Sequence, residues 1–123
     1  MKIKKVKRLT IPEKIWGRAT EKKNVPGTLR DSVTGKQCCL GVYLTACGYQ
    51  NNDLNEAGLC PRGHHFFAPS VFWSNSLPKQ PKDQWSIIQG LTQINDMKMK
   101  LPKRKKLIIE CFKKLGVTVR FKS

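Results

Sequence analysis

Cations crowd the two ends of this chain, and they are its clearest chemical signal. Lys2, Lys4, Lys5, Lys7 and Arg8 form one cluster; Lys98, Lys100, Lys103, Arg104, Lys105 and Lys106 form a second. Regularly spaced phosphates reward such clusters, because each neutralised charge releases a condensed counterion. The second cluster surrounds a helix start signalled by Pro102, where unpaired N–H donors add to the attraction for anions. Lys103 and Arg104 in that first turn oppose the helix dipole, a local cost that a bound anion relieves. The plain alternative is a solvated cationic surface. No zinc-finger spacing, no aromatic signature of an RNA-recognition sheet and no clear helix-turn-helix is present. Binding through these residues is therefore expected to follow the phosphate backbone, with little sequence preference.

Thiols offer a second chemistry. Cys38 and Cys39 fall at the start of an apolar helix, where the dipole can depress a thiol pKa. His64 or His65 would then act as base, with Asn95 or Asp96 orienting the imidazole, in the chain order of papain-like enzymes. Adjacent cysteines in an apolar helix are more often core packing. A third chemistry is metal binding: Cys60 and His64 stand in a Cys-x3-His spacing next to His65, and Cys47 or the Cys38–Cys39 pair would complete a set. Tetrahedral zinc needs four converging ligands, and the chain has no Cys-x2-Cys. A polar turn bearing a lone thiol is the simpler account, so no cofactor and no metal is assigned. Trp16, Trp73 and Trp85 would stack bases beside lysines or, more ordinarily, fill the core.

The charge totals agree with the first chemistry. The 123 residues carry 24 Lys+Arg against 8 Asp+Glu, a formal charge of +16. Residues 1–36 and 98–123 hold nearly all the excess, and the middle is close to neutral. Polyanions are the expected partners: nucleic acid, an acidic protein face or an anionic membrane. Ile3, Val6 and Leu9 are separated by lysines and form no apolar leader, and no run is long enough to span a membrane. Five cysteines, an odd count, do not suggest a disulfide framework. A reducing cytoplasm is the expected setting, with the cysteines as thiols.

The elements that must position these groups centre on Gln37–Gly48. Leu40, Tyr43, Leu44 and Cys47 recur at helical spacing, with Cys39, Val42 and Ala46 beside them, so this helix must be buried on most faces. Gly41, Thr45 and Gly48 leave a small-residue edge for another backbone, and Gly48 suits the left-handed stop. Met1–Leu9 reads as an extended or loosely ordered basic arm. Thr10-Ile11-Pro12-Glu13 has the pattern of a capped helix start, with Gly17 limiting its length. Thr28–Ser32 and the following Val33–Lys36 suggest a short strand and turn. Residues 49–85 are rich in Pro, Gly and Asn but also hold Phe66, Phe67, Val71, Phe72 and Trp73, which suggests an irregular cover folded over the core. Asp83 would cap a helix carrying Ile87, Leu91 and Ile94, ended by Asn95-Asp96. Pro102 opens the last helix, whose stripe is Leu107, Ile108, Cys111, Phe112 and Leu115; Gly116 ends it. Val117, Val119 and Phe121 then alternate with Thr118, Arg120 and Lys122 as a half-buried strand.

In order along the chain, LTIPEKIW (Leu9–Trp16), GKQCCLGVYLTACG (Gly35–Gly48), LTQIND (Leu91–Asp96) and GVTVRF (Gly116–Phe121) resemble a group of small bacteriophage and prophage proteins. The group is marked by a Cys-Cys-Leu-Gly helix and a later Ile/Leu-Asn-Asp step. The resemblance implies a phage accessory protein acting in the host cytoplasm, in host takeover or defence evasion; it implies no catalytic residue. The expectation is thus one α+β domain over residues 1–123, with a buried central helix, a basic C-terminal helix and a few short strands. Its expected activity is polyanion binding through the cationic ends. A cysteine-dependent hydrolase or transferase is the alternative.

Overall fold

Alternation of Leu9 and Ile11 with Arg8 and Thr10 decides the first element. In the computed structural model, which describes residues 4, 6–23, 28–57 and 84–123, Arg8–Pro12 is strand β1. The capping pattern at Thr10–Glu13 therefore does not open a helix. Leu9 and Ile11 are buried, and the strand pairs in parallel with β2, Thr118–Lys122, from the far end of the chain. Period-two burial and a distant partner override the local capping signal. Pro12 takes the last position of β1, where its missing N–H costs little. Glu13 N–H continues the pairing to Lys122 O at 2.8 Å. The basic arm is likewise tied down before the strand begins, through Lys4 N–H to Cys47 O (2.9 Å).

Helix α1, Cys39–Cys47, is the buried centre that its composition demands. Cys39 to Leu44 and Cys47 are inaccessible, whereas Thr45 and Ala46 face outward. Cys38 is its N-cap, its sulfur accepting from Gly41 N–H at 3.4 Å, and Gly48 closes it at φ 115°. The small edge is used at Gly41. A Cβ there would lie 1.8 Å from the Leu29 carbonyl oxygen, so the 28–30 segment crosses α1 in direct backbone contact. That segment is an isolated bridge, Arg30 to Asn55, and not the expected strand. The turn after it does form: Asp31 Oδ1 accepts from Val33 N–H and Thr34 N–H, and Gly35 has φ 74°. Those two N–H groups hold the Asp31 carboxyl below its ordinary range.

A short helix unmarked in the sequence reading, α2 (Asn51–Leu54), opens the 49–85 stretch with a Gln50–Asp53 capping box and buries Leu54. Gln84 and Trp85, the last residues of the expected cover, belong instead to the next helix, and residues 58–83, with Cys60, His64, His65, Trp73 and the Asp83 cap, lie outside the described residues. Helix α3, Gln84–Asp96, packs on α1 and on α4, Leu101–Lys114; α4 in turn lies on β2. Ile108, Phe112 and Leu115 carry the buried stripe of α4, and Gly116 turns the chain at φ 79° into β2. The result is an α+β arrangement with four helices and one parallel strand pair among the described residues. None of these helices is long and apolar enough to cross a membrane.

Candidate nucleic-acid interface

Strand register gathers charge from both ends of the chain. Arg8 sits opposite Thr118, Thr10 opposite Arg120 and Pro12 opposite Lys122. Paired residues point to the same side of a sheet. Arg8, Thr10, Thr118, Arg120 and Lys122 are all exposed, and Leu9, Ile11 and Val119 fill the opposite side. One face of the strand pair therefore presents three cations and two hydroxyls, drawn from positions more than a hundred residues apart. Arg120 and Lys122 were not among the candidate cations. Their alternation with Val119 and Phe121 was the available signal, but only the pairing with β1 brings them to Arg8.

The second cluster divides. Lys98, Lys100, Lys103 and Lys106 are exposed, and Lys4 and Lys7 are exposed before β1. Lys2 and Lys5 lie outside the described residues. Lys105 is half-buried, paired to Glu13 at 2.9 Å, with its ammonium 5.4 Å from the centre of the Phe121 ring. That ring in turn packs at 4.8 Å on Trp16, whose ring also meets the Arg18 guanidinium.

Arg104 corrects the sequence reading. It is fully buried and stands apart from its exposed lysine neighbours. Its position explains why: Arg104, Ile108 and Phe112 are four residues apart and share the inward stripe of α4. The guanidinium donates to the Ile94 and Asn95 carbonyls at the end of α3, and to those of Thr20 and Met99. It thus satisfies carbonyls at the negative end of α3 that have no partner within the helix. Burial, and then the nearby charge of Arg18, lower its pKa.

Asn95 is the second buried polar group here, and it is fully used. Its Oδ1 accepts from the Trp16 indole N–H (2.7 Å) and from Cys39 N–H (3.2 Å). Its Nδ2 donates to Gly17 O (2.8 Å) and Asp96 Oδ1 (3.0 Å). The two sequence pieces that carry the resemblance, Cys38–Gly41 and Ile94–Asp96, therefore meet in one contact: an asparagine oxygen at the N-terminus of α1. This side chain ties three elements and is engaged by an indole, not positioned for an imidazole. The thiols also differ from the expectation of a depressed pKa. Burial pushes Cys38 up to about 11 and Cys39 well above its ordinary value. The Cys39 thiol donates to Leu91 O at 3.9 Å. Asp96, half-buried, is also raised by burial. Among the described residues no three His, Cys, Asp or Glu side chains converge as a metal site.

Comparison with protein-family models, curated proteins and solved structures returns no match.

Proposed function

We propose that this chain is a phage accessory protein that binds nucleic acid through the cations of its two ends, with Arg8, Arg120 and Lys122 on the outer face of the β1–β2 pair as the core of the interface. The observation that carries the reading is the register that sets Arg8, Arg120 and Lys122 on one exposed face. A +16 chain repels itself, and a polyanion relieves that repulsion while releasing its own counterions. Thr10 and Thr118 on the same face supply hydroxyls that hydrogen-bond phosphate oxygens and fix register without reading bases. The setting in a phage-infected cell comes from the sequence resemblance.

Fluorescence anisotropy with a random-sequence duplex and with single-stranded RNA tests this. Affinity is expected to fall by about a hundredfold or more between ~50 and ~200 mM salt, given four or more phosphate contacts. Arg8→Glu and Arg120→Glu should each flatten the salt slope by about 0.9 per lost contact and leave the melting temperature almost unchanged. A flat salt response, or charge reversals that leave binding intact, would remove the reading. Capture of an acidic host protein from nuclease-treated lysate, without affinity for either nucleic acid, would transfer the same face to a protein partner.

A further inference from the structure

Between the Arg18–Glu21 segment and the start of α4 lies a cleft of about 500 Å³. Its walls include Arg18, Thr20, Lys100, Leu101 and Arg104. Three of these five side chains are cationic. Glu21 is the acidic side chain at the cleft, and it is exposed at the rim. Asp96, in the last turn of α3, is half-buried, accepts from Asn95 Nδ2 and offsets part of the Arg104 charge, but it does not line the cleft.

Two features of the cleft call for negative charge. Helix α4 begins there without a side-chain cap: Lys100 is the N-cap, it provides no acceptor, and the first turn holds no acidic residue. The first intrahelical bond is made by Arg104 N–H to Lys100 O at 3.0 Å, so the N–H groups of Leu101 and Lys103 precede it, and Pro102 has none. Independently, Arg104 stands in the wall fully buried, with its Nε–H lacking an acceptor among the described residues. Buried guanidinium donors are ordinarily all used, because an unmade hydrogen bond there carries the desolvation cost with no return. Arg18, whose guanidinium is held 4.8 Å from the centre of the Trp16 ring, adds a second cation close to the first. Two guanidiniums, a lysine and an uncapped helix start, against Glu21 as the one carboxylate among the lining residues, are what an oxyanion would complete.

We propose that this cleft is an oxyanion site, taking phosphate or the phosphoryl group of a small nucleotide, with Arg18, Lys100 and the first turn of α4 as its direct ligands. Arg104 forms the fixed positive floor. The cleft volume falls in the range of small-molecule sites, and Met99, Leu101 and Pro102 provide an apolar wall beside the charged one. The site is separate from the sheet face proposed above and stands or falls without it.

Amide NMR spectra recorded during titration with sodium phosphate, against sodium chloride at matched ionic strength, test it. The Leu101 and Lys103 amides should shift saturably with phosphate and hardly at all with chloride. Lys100→Ala, at an exposed position, should weaken phosphate by about tenfold, and Arg18→Gln should do the same. Adenosine monophosphate binding at least about tenfold tighter than phosphate would identify a nucleotide as the ligand, whereas equal affinities would point to free phosphate; both support the site. Equal binding of adenosine itself, shifts spread over every exposed lysine, or an unchanged titration in Lys100→Ala would overturn it. The Arg8→Glu, Arg120→Glu variant should keep the full phosphate response, which separates failure of this site from failure of the sheet face.

Discussion

Replacing Asn95 by alanine should nearly dismantle the link between α1, α3 and the Trp16–Gly17 segment. The change strands the Trp16 indole N–H, the Cys39 amide N–H and the Gly17 carbonyl, which are its partners at 2.7, 3.2 and 2.8 Å. Trp16 and Cys39 are buried, so water cannot take over without opening the core. Each stranded buried group costs about 1–3 kcal/mol. Two fully buried donors therefore set a loss of about 2–6 kcal/mol, and partial relaxation puts the expected value near ~4 kcal/mol. That is a large part of the ~5–15 kcal/mol that holds an ordinary domain together. Urea denaturation followed by far-UV circular dichroism reads the loss directly. A double-mutant cycle with Trp16→Phe, which removes the indole donor and keeps the ring, isolates one link, with an expected coupling of about 1–2 kcal/mol. A loss under about 1 kcal/mol for Asn95→Ala, or strict additivity with Trp16→Phe, would refute the role given to this side chain.

Two glycines should respond in opposite ways. Gly41→Ala drives a Cβ to 1.8 Å from a backbone oxygen that cannot rotate away, and should cost about 3 kcal/mol by thermal or chemical denaturation. Gly90→Ala meets open space in the interior of α3 and should stabilise by about 0.5–1 kcal/mol. Cys38 and Cys39 should resist iodoacetamide in the folded protein at neutral pH and react once urea exposes them; rapid native alkylation of either would restore the thiol-enzyme alternative. The same thiols predict a pH limit. The folded Cys38 pKa of about 11 lies above its unfolded value, so its contribution is fully present below about pH 8.5 and lost as pH rises toward 11. Urea midpoints should accordingly fall between about pH 9 and pH 11, and a flat profile there would contradict the assigned burial.

Local pattern alone determined several elements here. The all-round apolar character of residues 39–47 fixed a buried helix, and Gly48 its end, because a helix without a polar face has nowhere to go but inside. Pro102 and Gly116 bracketed α4, and the period-two run after Gly116 marked β2, since these signals act within a turn or a strand. Fold class followed from the same signals. What the sequence did not determine is each place where a distant partner outweighed a local preference. Thr10–Glu13 has the letters of a helix cap, but β2, over a hundred residues later, recruits Thr10–Pro12 into a strand. Arg104 has charged neighbours in the chain, but its spacing to Ile108 and Phe112 places it on the inward stripe. Only the arrangement of carbonyls from Thr20, Ile94, Asn95 and Met99 makes a buried guanidinium affordable. Asn95 read as the end of a helix, and the fold turned it into the acceptor for an indole and the first amide of α1. Periodicity and capping are properties of neighbours in the chain, whereas strand register and the pairing of buried polar groups depend on neighbours in space.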